Sequence, residues 1–199
     1  MPCVLALLTS LTASPTPAAE VDLVADRPGR LRLEFYPEGS SQKEHPIQML
    51  LEGAVYEEGR ILRGDGIPPD LDGAESFLKN FLEASRQGTL DEVLTFWAPE
   101  HVETTRQNLT GTFEANQALH QRVQISRLLA RVHWGGITLM CVRHELDDGQ
   151  VIVSTYPLVG SDGAHALTQD LSEDTMYQLL YLAFREAYGL PGDGVQSAP

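Results

Sequence analysis

The sequence predicts an α+β protein built on an antiparallel meander with helices before and after it. Three observations carry that prediction. Apolar segments between 126 and 169 are separated by the short turns Gly135-Gly136, Asp147-Asp148-Gly149 and Ser161-Asp162-Gly163, and turns this short force antiparallel neighbours. Two capped amphipathic segments precede them over 72–98, and a third follows after 170. The chain of 199 residues is 42% apolar and 21% charged, enough for one core and a modest extension.

In chain order, residues 1–19 read as an export signal or a disordered N-terminus. The apolar run is Val4–Leu11, followed by Ala13-Ser14-Pro15-Thr16-Pro17-Ala18-Ala19, with no Lys or Arg ahead of it. Residues 20–70 read as a β-hairpin extension. Leu31, Leu33 and Phe35 alternate with Arg32, Glu34 and Tyr36; a loop runs from Pro37 to Pro46; a second apolar segment spans Ile47 to Ile61. Gly64-Asp65-Gly66-Ile67-Pro68-Pro69 then breaks the chain, and the main domain is expected over 71–190.

Asp72-Gly73-Ala74-Glu75 has capping-box spacing, with Phe77, Leu78, Phe81 and Leu82 as the stripe behind it. Thr89-Leu90-Asp91-Glu92 is a second such box, followed by Val93, Leu94, Phe96 and Trp97 and stopped by Pro99. The polar segment 99–121 reads as a short helix and a loop. From Ser126 the period is two. Leu128, Ala130, Val132 and Trp134 share one face, and Arg127, Leu129, Arg131 and His133 the other. Strands follow over Ile137–Leu146, Val151–Val159 and Ala164–Gln169. The second and third are apolar on both faces, so both faces need cover. Helices over 72–98 can supply one. The helix that Asp170-Leu171-Ser172-Glu173 should cap, the N-terminal hairpin or a second copy must supply the other. That helix ends at Gly189 and Pro191, and 191–199 reads as a flexible tail.

Net charge is −14, from 28 acidic and 14 basic residues spread along the chain. Dispersed acidity favours solubility and argues against nucleic acid as a partner. No run of about 18 apolar residues is present, so no helical membrane span is expected. Cys3 and Cys141 show no metal-ligand spacing, so no metal and no cofactor is expected, and Cys141 reads as a buried inert thiol.

The order of two capped helices, an irregular third segment and a long meander resembles the nuclear transport factor 2-like superfamily. That group includes ketosteroid isomerases and SnoaL-type polyketide cyclases. The matching stretch runs from Ala74-Glu75-Ser76-Phe77-Leu78 through Gly88-Thr89-Leu90-Asp91 to Trp97-Ala98-Pro99-Glu100, and the resemblance covers about 71–170. It implies a curved sheet wrapped round the N-terminal helices, cone-like, with an apolar pocket. No acid–base constellation of an enzyme in that group carries over to positions here, so catalytic residues are not assigned.

Six residues are candidates for lining such a pocket: Trp97, Trp134, Tyr156, Met140, His133 and Arg143. Tyr156 could donate to a substrate carbonyl, and His133 could act as a base. The simpler readings are a core tyrosine with a wet hydroxyl and a solvated histidine. Alternation sets His133 and Trp134 on opposite faces unless a bulge intervenes. Arg143 and Glu145 share a face, and a weak surface ion pair is their simpler reading. Asp147-Asp148-Gly149 needs only its turn geometry to explain it.

The expected function is a small-molecule-binding or protein-assembly module, secreted or periplasmic (otherwise cytoplasmic), with a small apolar ligand and a homodimer through the sheet as expected partners. The alternative is an isomerase, dehydratase or cyclase doing acid–base chemistry on a small apolar substrate. An enzyme needs two or more ionisable groups converging inside one cavity.

Overall fold

The computed structural model describes residues 21–35, 47–161, 164–169, 171 and 174–189. The export-like segment 1–19, the loop 37–46, the Ser161-Asp162-Gly163 turn apart from its first residue, most of the Asp170–Glu173 cap and the tail 191–199 lie outside them.

Seven strands form one open antiparallel sheet in sequence order, β1 (Val21–Arg27), β2 (Arg30–Phe35), β3 (Ile47–Arg63), β4 (Val123–Trp134), β5 (Ile137–Leu146), β6 (Val151–Ser161) and β7 (Ala164–Leu167). The helices are α1 (Gly73–Gln87), α2 (Leu90–Leu94), α3 (Val102–Leu109), α4 (Phe113–Arg122) and α5 (Thr175–Tyr188). The segment 99–121 is therefore more helical than its polar sequence suggests. A 3-10 turn over Pro99–His101 leads into α3, and α4 follows.

This corrects the expected cone. The sheet does not wrap round the N-terminal helices. It stays open, with helices against both faces. The hairpin is not an appendage either. β3 pairs with β2 from Ile47 to Glu52 and with β4 from Glu52 to Arg63, so a single long strand joins the hairpin to the meander. β1 precedes the expected hairpin as a further edge strand. Its sequence Val-Asp-Leu-Val-Ala-Asp-Arg lacks the clean alternation by which a strand is recognised.

Both expected capping boxes form. Glu75 N–H donates to Asp72 Oδ1 at 3.0 Å, and Asp72 N–H donates back to Glu75 Oε2 at 3.2 Å. Thr89 N–H donates to Glu92 Oε2 at 2.7 Å, and Glu92 N–H to Thr89 Oγ1 at 3.3 Å. Each box satisfies orphan donors of a helix start. α5 begins at Asp174, whose carboxylate accepts from Tyr177 N–H at 2.8 Å.

Two apolar cores lie on opposite faces of the sheet. α1 and α2 pack Leu78, Phe81, Leu82, Val93 and Leu94 against Leu62, Leu128, Met140, Val142, Tyr156 and Leu158. α5 packs Leu180, Ala183 and Phe184 against Leu31, Leu33, Ala130, Val132, Leu139 and Cys141. The second helical layer is thus the C-terminal helix, one of the covers the two-faced apolar strands called for.

A bulge decides which residue meets which core. On β4 and β5, Leu128 pairs with Val142 and Ala130 with Cys141, so Leu129 is extra. On β3, Val55 opposes Ala130 and Arg60 opposes Leu128, which makes Tyr56–Gly59 an excursion at the same level. Gly59 turns that excursion with φ 72°, and a Cβ there would meet Arg127 Cβ at 2.8 Å. Leu128 consequently packs under α1, while Ala130 and Val132 pack under α5. Uninterrupted alternation would have put all three on one face.

Candidate functional site

The α1 side of the sheet carries a buried polar chain. Ser126 on β4 and His144 on β5 are register partners, and His144 shares its face with Met140 and Val142 by alternation. Ser126 Oγ lies 2.9 Å from His144 Nδ1, and Tyr156 Oη lies 2.9 Å from His144 Nε2. All three residues are buried. A neutral imidazole has one donor and one acceptor nitrogen. The hydroxyl on one side therefore donates to the ring and the other accepts from it.

Burial pushes the His144 pKa down to about 3, with His120 and Arg63 adding smaller repulsions. His120, near the end of α4, is pushed down to about 4 by burial and then by Arg63. Arg63 donates to the His120 carbonyl at 3.0 Å. Burial raises the Tyr156 phenol well above its ordinary range, against a smaller lowering by a hydrogen bond with Ser154. The three groups are uncharged at neutral pH. Ser126 is 1% exposed, so a serine–histidine pair with nucleophile-like spacing lies sealed on the α1 side of the sheet, with His120 of α4 near it. Its geometry ties three strands together.

A second polar cluster fixes α1 to the sheet. The Glu75 carboxylate is buried and accepts from Arg60 Nε at 3.0 Å and from Tyr56 Oη at 3.3 Å. Arg60 also bonds Asp70 at 3.0 Å, and Arg131 bonds Asp72. Paired this way, a buried carboxylate escapes the cost of an isolated charge.

A small cavity of about 30 Å³ lies at the β6–β7 edge. β7 pairs with β6 only over Leu158–Ser161. Beyond it, Thr168 N–H donates to the Pro157 carbonyl at 3.1 Å. The end of α2 is stitched to the same place, with Leu167 N–H donating to Phe96 O at 2.8 Å and Ala98 N–H to Leu167 O at 2.9 Å. Phe81, Trp97 and Tyr156 line the cavity from the α1 side, and Thr155, Leu171 and Tyr177 line it from the α5 side. The two cores meet here round the sheet edge.

The six residues singled out from sequence are divided by the fold. Trp97 and Tyr156 line this cavity, and Met140 packs in the same core. Trp134 packs on the α5 side, its Nε1 donating to Asp174 at 3.4 Å. His133 is half-buried, with Nδ1 2.8 Å from Thr138 Oγ1. Burial, and then Arg131, lower its pKa. Arg143 is largely exposed, 3.5 Å from Glu145, which also meets Arg127 at 3.6 Å. Ser126, His144 and His120 were not singled out. The signal for His144 was its even spacing from Met140 and Val142. Ser126 needed the Leu129 bulge to be known.

Among the described residues no group of three or more His, Cys, Asp or Glu could hold a metal, and no helix is long and apolar enough to cross a membrane. No family model, curated protein or solved structure matches the chain, so the resemblance over 71–170 has no relative to weigh it by.

Proposed function

We propose that the chain is a protein-assembly module that associates with a second copy of itself through the uncovered part of its sheet. The supporting observation is the half-sheet β1–β3. Leu31, Leu33 and Leu51 on one face are buried against α5. The reverse face carries Val24, Arg32 and Leu50 in one cross-strand row, with Asp22, Glu34 and Gln48 in the next. Val24 is 40% and Leu50 57% exposed. Exposed apolar side chains on a partly covered sheet mark contact surface, and the free edge of β1 adjoins it.

Three strands of this length present an area on the order of 300 Å² at ~3.3 Å per residue and ~4.8 Å per strand. The expected association is therefore weak and concentration-dependent. The buried histidine chain supports the same preference over acid–base catalysis, since its groups are neutral and sealed. The apolar run Val4–Leu11 with its small-residue sequel supports a location outside the cytoplasm for this module.

Sedimentation velocity from low to high micromolar concentration tests the reading. A monomer–dimer equilibrium that Leu50→Lys abolishes is expected. A monomer at every concentration overturns the proposal, as does a dimer that Leu50→Lys leaves intact.

A further inference from the structure

α4 is held to the molecule largely by polar contacts. Among its described residues, those buried are Asn116 and His120, four apart on one face. Phe113 is partly buried against the α1-side core, and Ala115 and Ala118 are exposed. Hydrogen bonds supply further attachment. Gln117 Nε2 donates to the Gly88 carbonyl at 2.7 Å, Gln121 Nε2 to the Arg86 carbonyl at 3.3 Å, and Arg63 Nη1 to the His120 carbonyl at 3.0 Å. α1 and α5 are each anchored by a fully buried phenylalanine, Phe81 and Phe184. A net hydrogen bond stabilises less than burial of a large apolar side chain, so α4 is less firmly held than either. Gly111, between α3 and α4, has open space where a Cβ would stand.

His120 is where this attachment meets charge. Arg63, Ser126 and His144 form one cross-strand row over β3, β4 and β5, and α4 reaches the row at His120. A proton on the His120 ring puts a second cation beside Arg63 in a dry place. α1 brings Arg86 and Glu83, opposite charges that both act on Arg63. β5 brings His144, on which His120 and Arg63 act. Ser126 of β4 and Tyr156 of β6 are uncharged. Arg122, at the end of α4, is taken by Asp147 and Asp148. Among the described residues no carboxylate acts on the His120 ring; burial and Arg63 both hold it neutral.

We propose that α4 is an acid-released latch: protonation of His120 frees the helix from α1 and from the Arg63–Ser126–His144 row while the core under α5 stays folded. The chain hinges at Gly111, and His144 keeps its bonds with Ser126 and Tyr156. This device is separate from the β1–β3 face.

Hydrogen exchange of the full chain between pH 7 and pH 5, in a series of low urea concentrations, tests it. As pH falls through 6.5, the released ring binds a proton that the packed ring does not take until about 4. The amides of Gln117 to Gln121 should therefore lose protection by about 20-fold between pH 7 and pH 5, and by no more than about tenfold per pH unit. At pH 5 they should exchange ahead of the Leu180, Ala183 and Phe184 amides. Their urea dependence should be smaller, since a local opening exposes less surface than global unfolding. His120→Gln keeps a polar side chain and should leave α4 protection the same at both pH values. Exchange of α4 and α5 together, with one urea dependence at pH 5, overturns the proposal. So does equal α4 protection at pH 7 and pH 5 in the native chain, and so does a pH dependence that survives His120→Gln. If that variant does not fold, the native profile decides, because a fall at α4 steeper than one proton allows also overturns it.

Discussion

The two faces of one sheet are packed by different chemistry. Under α5, the core is Leu31, Leu33, Ala130, Val132, Leu139, Cys141, Leu180, Ala183 and Phe184, with Tyr177 and Thr155 at its margin. Under α1–α4, comparable apolar packing is threaded by Glu75, Thr105, Asn116, His120, Ser126 and His144, all buried. Strands β4–β6 contribute to both. An apolar core is held by contact area, which is non-directional. A core containing hydrogen-bonded groups is held by partners as well, and each lost partner leaves a desolvated atom behind. The α5 side should therefore respond to volume alone, and the α1 side to volume, pH and the removal of single atoms.

The largest effect should be shared by both sides. Phe81 and Phe184 are each fully buried, one in each core. Phe81→Ala and Phe184→Ala should each cost about 3–5 kcal/mol, read as a shift of the urea midpoint. A much smaller loss at Phe184 would mean that α5 is only loosely held to the sheet.

The next effect should separate them. The pKa values of His144 and His120, about 3 and about 4, lie below the ordinary 6.5. As pH falls below 6.5 the unfolded chain takes up protons first. The stabilisation from keeping these rings neutral is complete above 6.5 and is lost on the way down to the folded values. At pH 5 the loss should be about 2 kcal/mol for each histidine. Urea midpoints at pH 7 and pH 5 measure it, and His120→Gln should remove about half of the difference. A flat profile between those pH values would contradict the dry packing of the α1 side.

The smallest effect concerns one oxygen. Tyr156→Phe keeps the ring against Phe81, whose centroid lies 6.0 Å away, but leaves His144 Nε2 without its partner. A loss of about 1–2 kcal/mol is expected, well beyond what a ring-preserving change would cause in the α5 core. A neutral result would show that water or another side chain readily replaces the phenol.

Much of this molecule was readable in its residues. The boxes Asp72/Glu75 and Thr89/Glu92, the turn at Gly135-Gly136 and the strand spans from Ser126 onward depend on contacts within a few positions, and they formed where the spacing put them. The need to cover both faces of β5 and β6 was likewise visible in their unbroken apolar runs. β1 was not visible, because a charged edge strand has little pattern to read. Of the candidate site, Trp97, Met140 and Tyr156 came together on one side of the sheet. Trp134 did not, and His144 was not singled out, although its even spacing from Met140 and Val142 set it on the same face.

Local sequence determined the elements, since a cap, a turn or an alternating run is satisfied by neighbours along the chain. Tertiary structure alone decided the open sheet in place of a cone, and which core each side chain joined. The second follows from the Tyr56–Gly59 excursion and the Leu129 bulge. A bulge exists only relative to a partner strand, and pairing β3 with β4 brings together residues about 70 positions apart. Once that register is set, Ser126 and Leu128 turn toward α1, Ala130 and Val132 turn toward α5, and the polar chain is closed in on one side of the sheet.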